Sequence, residues 1–471
     1  MKNNRITAES LKGYVLGLVV LFSLLLRYMQ VFAVDYPNGW DGSFYEMQLH
    51  TWLETGQLHS PNYSLIYVLM KFLTFFCSPA NAYKLVTVLA SSMFSVLIYV
   101  YSRKQLSPLD SLLVCLFTFF SPVLLFVSHQ FTKNLLGLDF VLLYFVFQKK
   151  DWKLIPLLFL AFFTHRLAFV MLLFLGAWEL TSYIHLRKWI FWLVPLCALF
   201  GIFSFIPGMP TLFDYARVIP ELQLSFTWGF LDFYRVWSSQ AFGWVWYVET
   251  AVFHVVLLMI ALYYLYKKAL LPLACLFLLL LLPIYDFSSG SLGYRLFLNA
   301  CCLLFLFLPL CMQRPFFKKG MVALLILGLP FGLMSYDAPR FDPPIAYYKL
   351  VASRVEAALK NVADVSMIIA HKGIKEQIIL TTDHQALNWA VPTHMEQHAY
   401  RLVYGVEDQE LIATLGQELS SWKRISKNYL LTSELEWRRF MDALEEEGKY
   451  QRINELQSWL NPYQQRPLYL Q

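Results

Sequence analysis

The chain has 471 residues, of which 58% are hydrophobic and only 15% charged, and its mean hydropathy is +0.49. Soluble chains carry charge on about a quarter of their residues, so a water-soluble globular protein is excluded. The net charge of +6 divides unevenly: residues 1–336 hold 23 Lys+Arg against 14 Asp+Glu, and residues 337–471 hold 15 against 18. That pattern reads as orientation charge beside membrane spans, not as a nucleic-acid footprint, and no nucleic-acid partner is expected.

Apolar runs long enough to span a bilayer as helix recur from Gly13 to Ser335. The seven cysteines fall almost entirely inside such runs and form no CxxC pair, so neither a disulfide framework nor a zinc site is expected. Lys2, Arg5 and Lys12 precede the first run and "VFA" ends it, but Arg27 interrupts the run and many spans follow. It is therefore expected to be a retained first span, not a signal peptide. Basic clusters at "MKNNR", 102–104, 149–153, 186–188, 267–268 and 314–319 should share the cytoplasmic side. Spans then fall near 13–34, 84–101, 110–127, 134–148, 154–164, 167–184, 189–206, 244–266, 269–285, 294–312 and 320–336. That makes about 11 transmembrane helices, with the N-terminus inside and the tail outside. The segment 154–183 lies between two basic clusters, so it is expected to be a hairpin turning at Thr164-His165-Arg166.

The loop after the first span, about Asp35 to Tyr83, carries "GWDGSFYEMQLHTWLETGQL". "SFYEMQLHTWLET" fits a short amphipathic helix, opened by the capping-box pattern Ser43-x-x-Glu46 and stopped at Gly56. Tyr45, Leu49, Trp52 and Leu53 share one face; Glu46, His50 and Glu54 share another. That acidic face reads as solvated rather than metal-binding, and a divalent cation is compatible with the chain without being indicated. Asp41, just ahead of the helix, suits an N-cap. "PNYSLIYVLMKFLTFF" then dips back toward the bilayer as a second interfacial helix.

Two further external segments are long. Residues 207–243 are rich in Trp, Phe and Tyr, which favour the membrane interface, and carry Arg217 and Arg235. The tail, 337–471, reads as a small extracytoplasmic α/β domain. "PPIAYYKLVASRVEAALKN" and "DQELIATLGQEL" are expected as helices, and "VSMIIAH", "YRLVYGV" and "NYLLTS" as strands. A last helix is opened by Ser433-x-x-Glu436.

Together these features resemble the GT-C superfamily, integral-membrane glycosyltransferases that use polyprenyl-phosphate-linked sugars. The resemblance covers roughly residues 10–336. It rests on the first span followed by the "GWDGSFYEMQLHTWLETGQL" loop, then on "PNYSLIYVLM", "FTKNLLGLDFVLLYF" and "FFTHRLAFVMLL" in that order. It implies a GT-C-like membrane domain at 1–336 with its catalytic loop at 35–83. It also implies transfer of a sugar from the lipid-linked donor to a glycan or lipid-linked acceptor at the external face of a membrane, taken as the bacterial cytoplasmic membrane.

Asp41, in its "WDGxxY" setting, matches the family's catalytic acid, and Asp35 is the alternative; where many members carry an adjacent acidic pair, this chain has Gly42. Phosphate is already a good leaving group, so the chemistry asks for one base and for cations at the phosphate. Lys133, Arg166 and Arg295 are the phosphate candidates, with Arg217 and Arg235 as further ones, since cations near the bilayer are functional candidates by default; for Lys133 snorkelling to the interface is the slightly favoured reading. Tyr45, Glu46, His129, His165 and Tyr294 complete the expected substrate contacts, and Arg27 is expected to pair with a buried acid, Asp139 or Glu179. No second carboxylate acting as nucleophile is evident, so the transfer is expected to invert. The rival readings are a polysaccharide polymerase or ligase, a lipid-linked-sugar flippase, and a membrane scaffold presenting the tail.

Overall fold

The computed structural model describes residues 8–39, 41–60, 64–147, 151–165, 168–169, 171–172, 224–226, 285–287, 299, 302, 305–313, 315, 318–319, 322, 345–387, 393–404, 422–426, 428–446 and 448. The chain divides into two compact units. One holds Met1–Asn38 and Thr51–Phe341; the other holds Gly39–His50 and Asp342–Gln471. Residues 39–50 thus group by packing with the C-terminal unit, although their place in the chain is in the membrane part.

The membrane unit is built from apolar helices: α1 (Ala8–Val31), α3 (Leu65–Leu73), α4 (Pro79–Ser102), α5 (Pro108–Phe120), α6 (Pro122–Gln130), α7 (Thr132–Phe147), α8 (Asp151–Thr164) and a short α9 (Leu308–Met312). The intervening helix, α2 (Gly42–Thr55), opens in the C-terminal unit. Among the described residues, α1 over Gly13–Val31 and α4 are each long and apolar enough to cross a bilayer. α1 turns Tyr14, Leu18, Leu21, Leu25 and Tyr28 outward while burying Val19, Ser23 and Arg27, as a lipid-facing helix should. The spans expected at 189–206, 244–266 and 320–336 lie almost wholly outside the described residues, as do most of 167–184 and 269–285.

The structure differs from expectation in three places. The third span is not one helix: α5 and α6 are bent by 49° at Ser121-Pro122. Proline offers no N–H and pushes the residue before it out of helical geometry, so Ser121 (φ −67°, ψ 115°) becomes a cap whose hydroxyl accepts from the Leu124 amide. α4 begins at Pro79, capped by Ser78, so the opening loop ends earlier than Tyr83. Arg27 is fully buried, but it donates to Gln30 Oε1 (2.7 Å) and to the Thr118 carbonyl (2.8 Å), not to Asp139. Glu179 lies outside the described residues.

Basic clusters at one end of the bundle are tied to helix ends. Lys104 donates to the Val146 carbonyl at the close of α7, and Lys318 pairs with Asp110 in the first turn of α5 at 2.5 Å. The clusters at 102–104 and 314–319 therefore each stand at a helix end.

The C-terminal unit is a mixed α/β layer. Helices α10 (Ile345–Leu359), α11 (Ile374–Thr381) and α12 (Glu434–Glu446) accompany strands β3 (Met367–Ile369), β4 (Ala386–Leu387), β5 (Ala399–Tyr404), β6 (Lys423–Ser426) and β7 (Tyr429–Ser433), in sheet order β4-β3-β5-β7-β6. A separate antiparallel pair, β1 (Leu224–Phe226) with β2 (Tyr285–Phe287), belongs to the membrane unit. β3 runs parallel to both β4 and β5; β7 runs antiparallel to β5 and β6. The chain thus leaves β3 through α11 to β4 on one side and returns to β5 on the other. Its core holds Tyr348, Val351, Val355, Ile368, Ile374, Ile378, Leu402, Tyr429 and Leu431, all nearly inaccessible. α12 opens with a reciprocal capping box: Glu436 N–H donates to Ser433 Oγ (3.2 Å) and Ser433 N–H to Glu436 Oε2 (3.4 Å). The helix expected at 408–419 lies outside the described residues. Neither α11 nor the 3-10 turn Thr393–His398 was expected from the sequence.

Candidate active site

In the membrane unit, hydroxyl and carbonyl groups from distant segments meet at one end of the helices. Tyr83 O–H lies 3.3 Å from the Asn38 carbonyl and 3.1 Å from Thr132 Oγ1, which is 3.0 Å from Thr87 Oγ1. Ser64 in the opening loop donates to the Thr164 carbonyl at the close of α8 (3.1 Å). The loop after α1 and the start of α7 therefore stand at one level, and the later part of the loop meets the close of α8. Lys133 is half-buried in the first turn of α7, and His165 follows α8 directly, also half-buried. α7 carries Gly137 where a Cβ would stand 2.8 Å from that of Ala168 and 3.0 Å from that of His165. Only glycine lets the backbone of α7 come so close to His165.

His129 is 5% exposed inside α6; its Nδ1 lies 2.9 Å from the Leu125 carbonyl, and among the described residues its Nε2 has no hydrogen-bond partner. α3 is two-sided: Val68, Leu69 and Phe72 stand outward while Ile66, Tyr67 and Met70 are buried, and Phe75 and Phe76 just beyond it are exposed. Lys71 sits 4.1 Å from the centre of the Trp52 ring. Arg166, Arg295, Tyr294, Arg217 and Arg235 lie outside the described residues.

The catalytic candidate Asp41 belongs to the C-terminal unit, where it acquires partners that the sequence did not suggest. α2 starts at Gly42, one residue ahead of the expected box, so Asp41 takes the cap position and its carbonyl accepts from the Tyr45 amide at 3.0 Å. Ser43 therefore falls inside the first turn, where its Oγ receives Gln377 Nε2 at 3.0 Å. At the other end Gly56, φ +75°, stops the helix as expected. Tyr45 is buried, Glu46 and His50 are half-buried, and Asp35 is exposed beyond the end of α1. Among the described residues no three His, Cys, Asp or Glu side chains converge.

The Asp41 carboxylate forms an ion pair with Lys372, and among the described residues no hydrogen bond reaches its Oδ2. Lys372 stands in the turn His371-Lys372-Gly373 between β3 and α11, where Gly373 takes φ +87°. This turn lies at the carboxyl end of a parallel strand, at the point where the chain order reverses, the position where open α/β sheets bind ligands. Beside Lys372 the first turn of α11 supplies Lys375, 7% exposed, and Glu376, fully buried. Both ammonium groups lie 5.8 Å from the centre of the Phe44 ring. His371 is held behind them, its Nε2 2.5 Å from Tyr429 O–H and its Nδ1 against the Lys372 carbonyl.

Burial governs the charges here. It pushes the Glu376 carboxyl up to about 7, further raised by Asp41 and held back by Lys372 and Lys375. Burial lowers Lys375; the neighbouring Glu376 charge raises it by less, and the Lys372 charge adds a smaller lowering. It also brings His371 down to about 4. A carboxyl raised on folding contributes stability that is complete below its unfolded value, 4.5, and is lost as pH climbs through about 7. Glu376→Gln removes that loss. Thermal unfolding of the full chain from pH 4.5 to 8 should show the variant gaining on wild type up to about pH 7 and level beyond. The limit is on the order of 3 kcal/mol.

Lys372, Lys375 and Glu376 were not anticipated. The available signal was "HKGIKEQ", a glycine turn with two lysines directly after a strand, but nothing local linked it to Asp41.

No protein-family model matches the chain, and no curated protein matches it in sequence. Its fold nevertheless superposes on solved structures. ArnT from Cupriavidus metallidurans in the apo state, a GT-C structure, matches over 90% of this chain and 98% of its own, with TM-score 0.54 and 11% identity. The oligosaccharyltransferase of Archaeoglobus fulgidus, apo form, matches over 88% of this chain and 69% of its own, with TM-score 0.44 and 10% identity. On the first of these likenesses and on its own apolar helices, the chain is a polytopic helical membrane protein with a GT-C fold.

Proposed function

We propose that the chain is a GT-C-type glycosyltransferase that moves a sugar from a polyprenyl-phosphate donor to an acceptor hydroxyl at the external face of the membrane. The observation that carries this reading is Asp41, a carboxylate at the mouth of α2 in a GT-C fold, held by a lysine at the ligand-binding end of an α/β sheet. In the reaction the acceptor oxygen attacks the anomeric carbon as the bond from that carbon to the phosphate oxygen breaks. The phosphate departs with the electron pair, and the acceptor proton passes to Asp41. One in-line displacement inverts the anomeric centre, and cations steady the phosphate as its charge develops.

Placement in the bacterial cytoplasmic membrane, N-terminus inside, belongs to the same proposal, as does the external position of the C-terminal unit. It is supported by the basic clusters at helix ends near 104 and 318. The test is release of polyprenyl phosphate from a panel of polyprenyl-phosphate sugars by the full chain in nanodiscs. Turnover of any donor with an acceptor present supports the reading. Saturable donor binding without turnover, over both glycan and lipid-linked acceptors, would overturn it.

A further inference from the structure

The side chains around Phe44 leave an imbalance that the reaction above does not by itself explain. Lys375 is 7% exposed, yet among the described residues its ammonium makes no hydrogen bond or ion pair. Glu376 beside it is 0% exposed, and among the described residues neither carboxylate oxygen has a hydrogen-bond partner. A buried ammonium without a bonded anion is costly, and so is a second ammonium placed against the same ring. Lys372 is that second ammonium, and it is currently spent on Asp41. The geometry suits a group with more negative charge than Asp41 alone, arriving at the carboxyl end of β3 and the start of α11.

We infer, on the basis of the glycosyltransferase reading, that Lys372 and Lys375 form the site for the donor's phosphate. Lys372 then leaves Asp41 for that phosphate, so that the base is released only when donor is bound. The resting ion pair keeps the carboxylate from a stray hydroxyl. The arriving phosphoryl oxygens give Lys375 the anion it lacks and take the Lys372 ammonium, which frees the Asp41 oxygen for the acceptor proton. Burial lowers Lys375 and an anion raises it, so binding should favour its protonated form.

Asp41 and the phosphate compete for one lysine, and a merely structural ion pair would not behave that way. Binding of polyprenyl monophosphate to the full chain in nanodiscs should weaken about tenfold or more in Lys372→Met and in Lys375→Met, as expected when one charge-assisted bond is lost. Lys372→Arg should retain most of the affinity. Asp41→Asn should instead bind the lipid phosphate several-fold more tightly, although its turnover falls. Hydrogen exchange over 367–381 checks that each variant keeps its fold. Inorganic phosphate and nanodiscs of phosphatidylglycerol alone serve as parallel probes. Equal, lysine-dependent binding of inorganic phosphate with none of polyprenyl phosphate would reassign the site to free phosphate and overturn the donor assignment. Lysine dependence on phosphatidylglycerol alone would overturn it in favour of a bulk-lipid contact. Weaker binding in Asp41→Asn, or lysine variants that bind as wild type does, would overturn this inference and leave the enzyme reading standing. A wild type that turns over donor yet binds no polyprenyl phosphate would overturn this inference alone.

Discussion

Asp41→Asn should cut sugar transfer by about 10²–10⁴-fold, the usual contribution of a positioned general base. Asparagine keeps the size and the cap position at α2 but cannot accept the acceptor's proton. Asp35→Asn, at an exposed position beyond α1, should leave transfer within about twofold. Initial rates of polyprenyl phosphate release, with donor saturating, separate the two variants. A loss confined to Asp35→Asn would move the base to that residue and empty the Lys372 pair of its role. The loss in Asp41→Asn should appear in kcat, because donor binding does not use the carboxylate as base.

The second large effect falls on the sheet that carries Lys372. Arg401 of β5 grips Glu434 of α12 with two bonds, Nε to Oε2 at 2.7 Å and the second guanidinium nitrogen to Oε1 at 2.9 Å. Their side chains are only 7% and 2% exposed. Arg401→Met leaves Glu434 buried with Arg438 as its remaining cation, 3.1 Å away and 41% exposed. Removing one partner of a buried pair costs about 3–5 kcal/mol, a large part of a small unit's stability. Arg401 also stands 5.5 Å from the centre of the Trp437 ring, whose fluorescence can follow unfolding of this unit. The double change Arg401→Met with Glu434→Leu should regain most of the loss, because no charge is then left buried alone. If the single variant unfolded at the wild-type temperature, the pair would have no structural weight.

The C-terminal unit shows how far local pattern reaches. Helix α10, strands β3, β5 and β7, and the capping box of α12 were all legible. Each is an alternating or 3.6-period run bounded by turn residues or a cap. Helix α11 was not: its eight residues, "IKEQIILT", make only about two turns, and their isoleucines favour strand. Strands β4 and β6, two and four residues long, carry too little pattern to read. The break at Ser121-Pro122 was in plain view, but a proline inside an apolar run reads equally as a kink within one span.

The sequence by itself determined that this is a membrane protein of many helices, that basic groups gather at helix ends, and that a carboxylate opens the helix after the first span. Those are properties of composition and short periods, which local physics sets. Only the tertiary structure decided the company of each polar group. Lys372 lies 331 positions from Asp41, Gln377 lies 334 from Ser43, and Arg27 reaches Thr118 across 91. Such pairs form because burial forces each polar group to find whatever partner the packing of distant elements brings within bonding range. No local pattern records that choice.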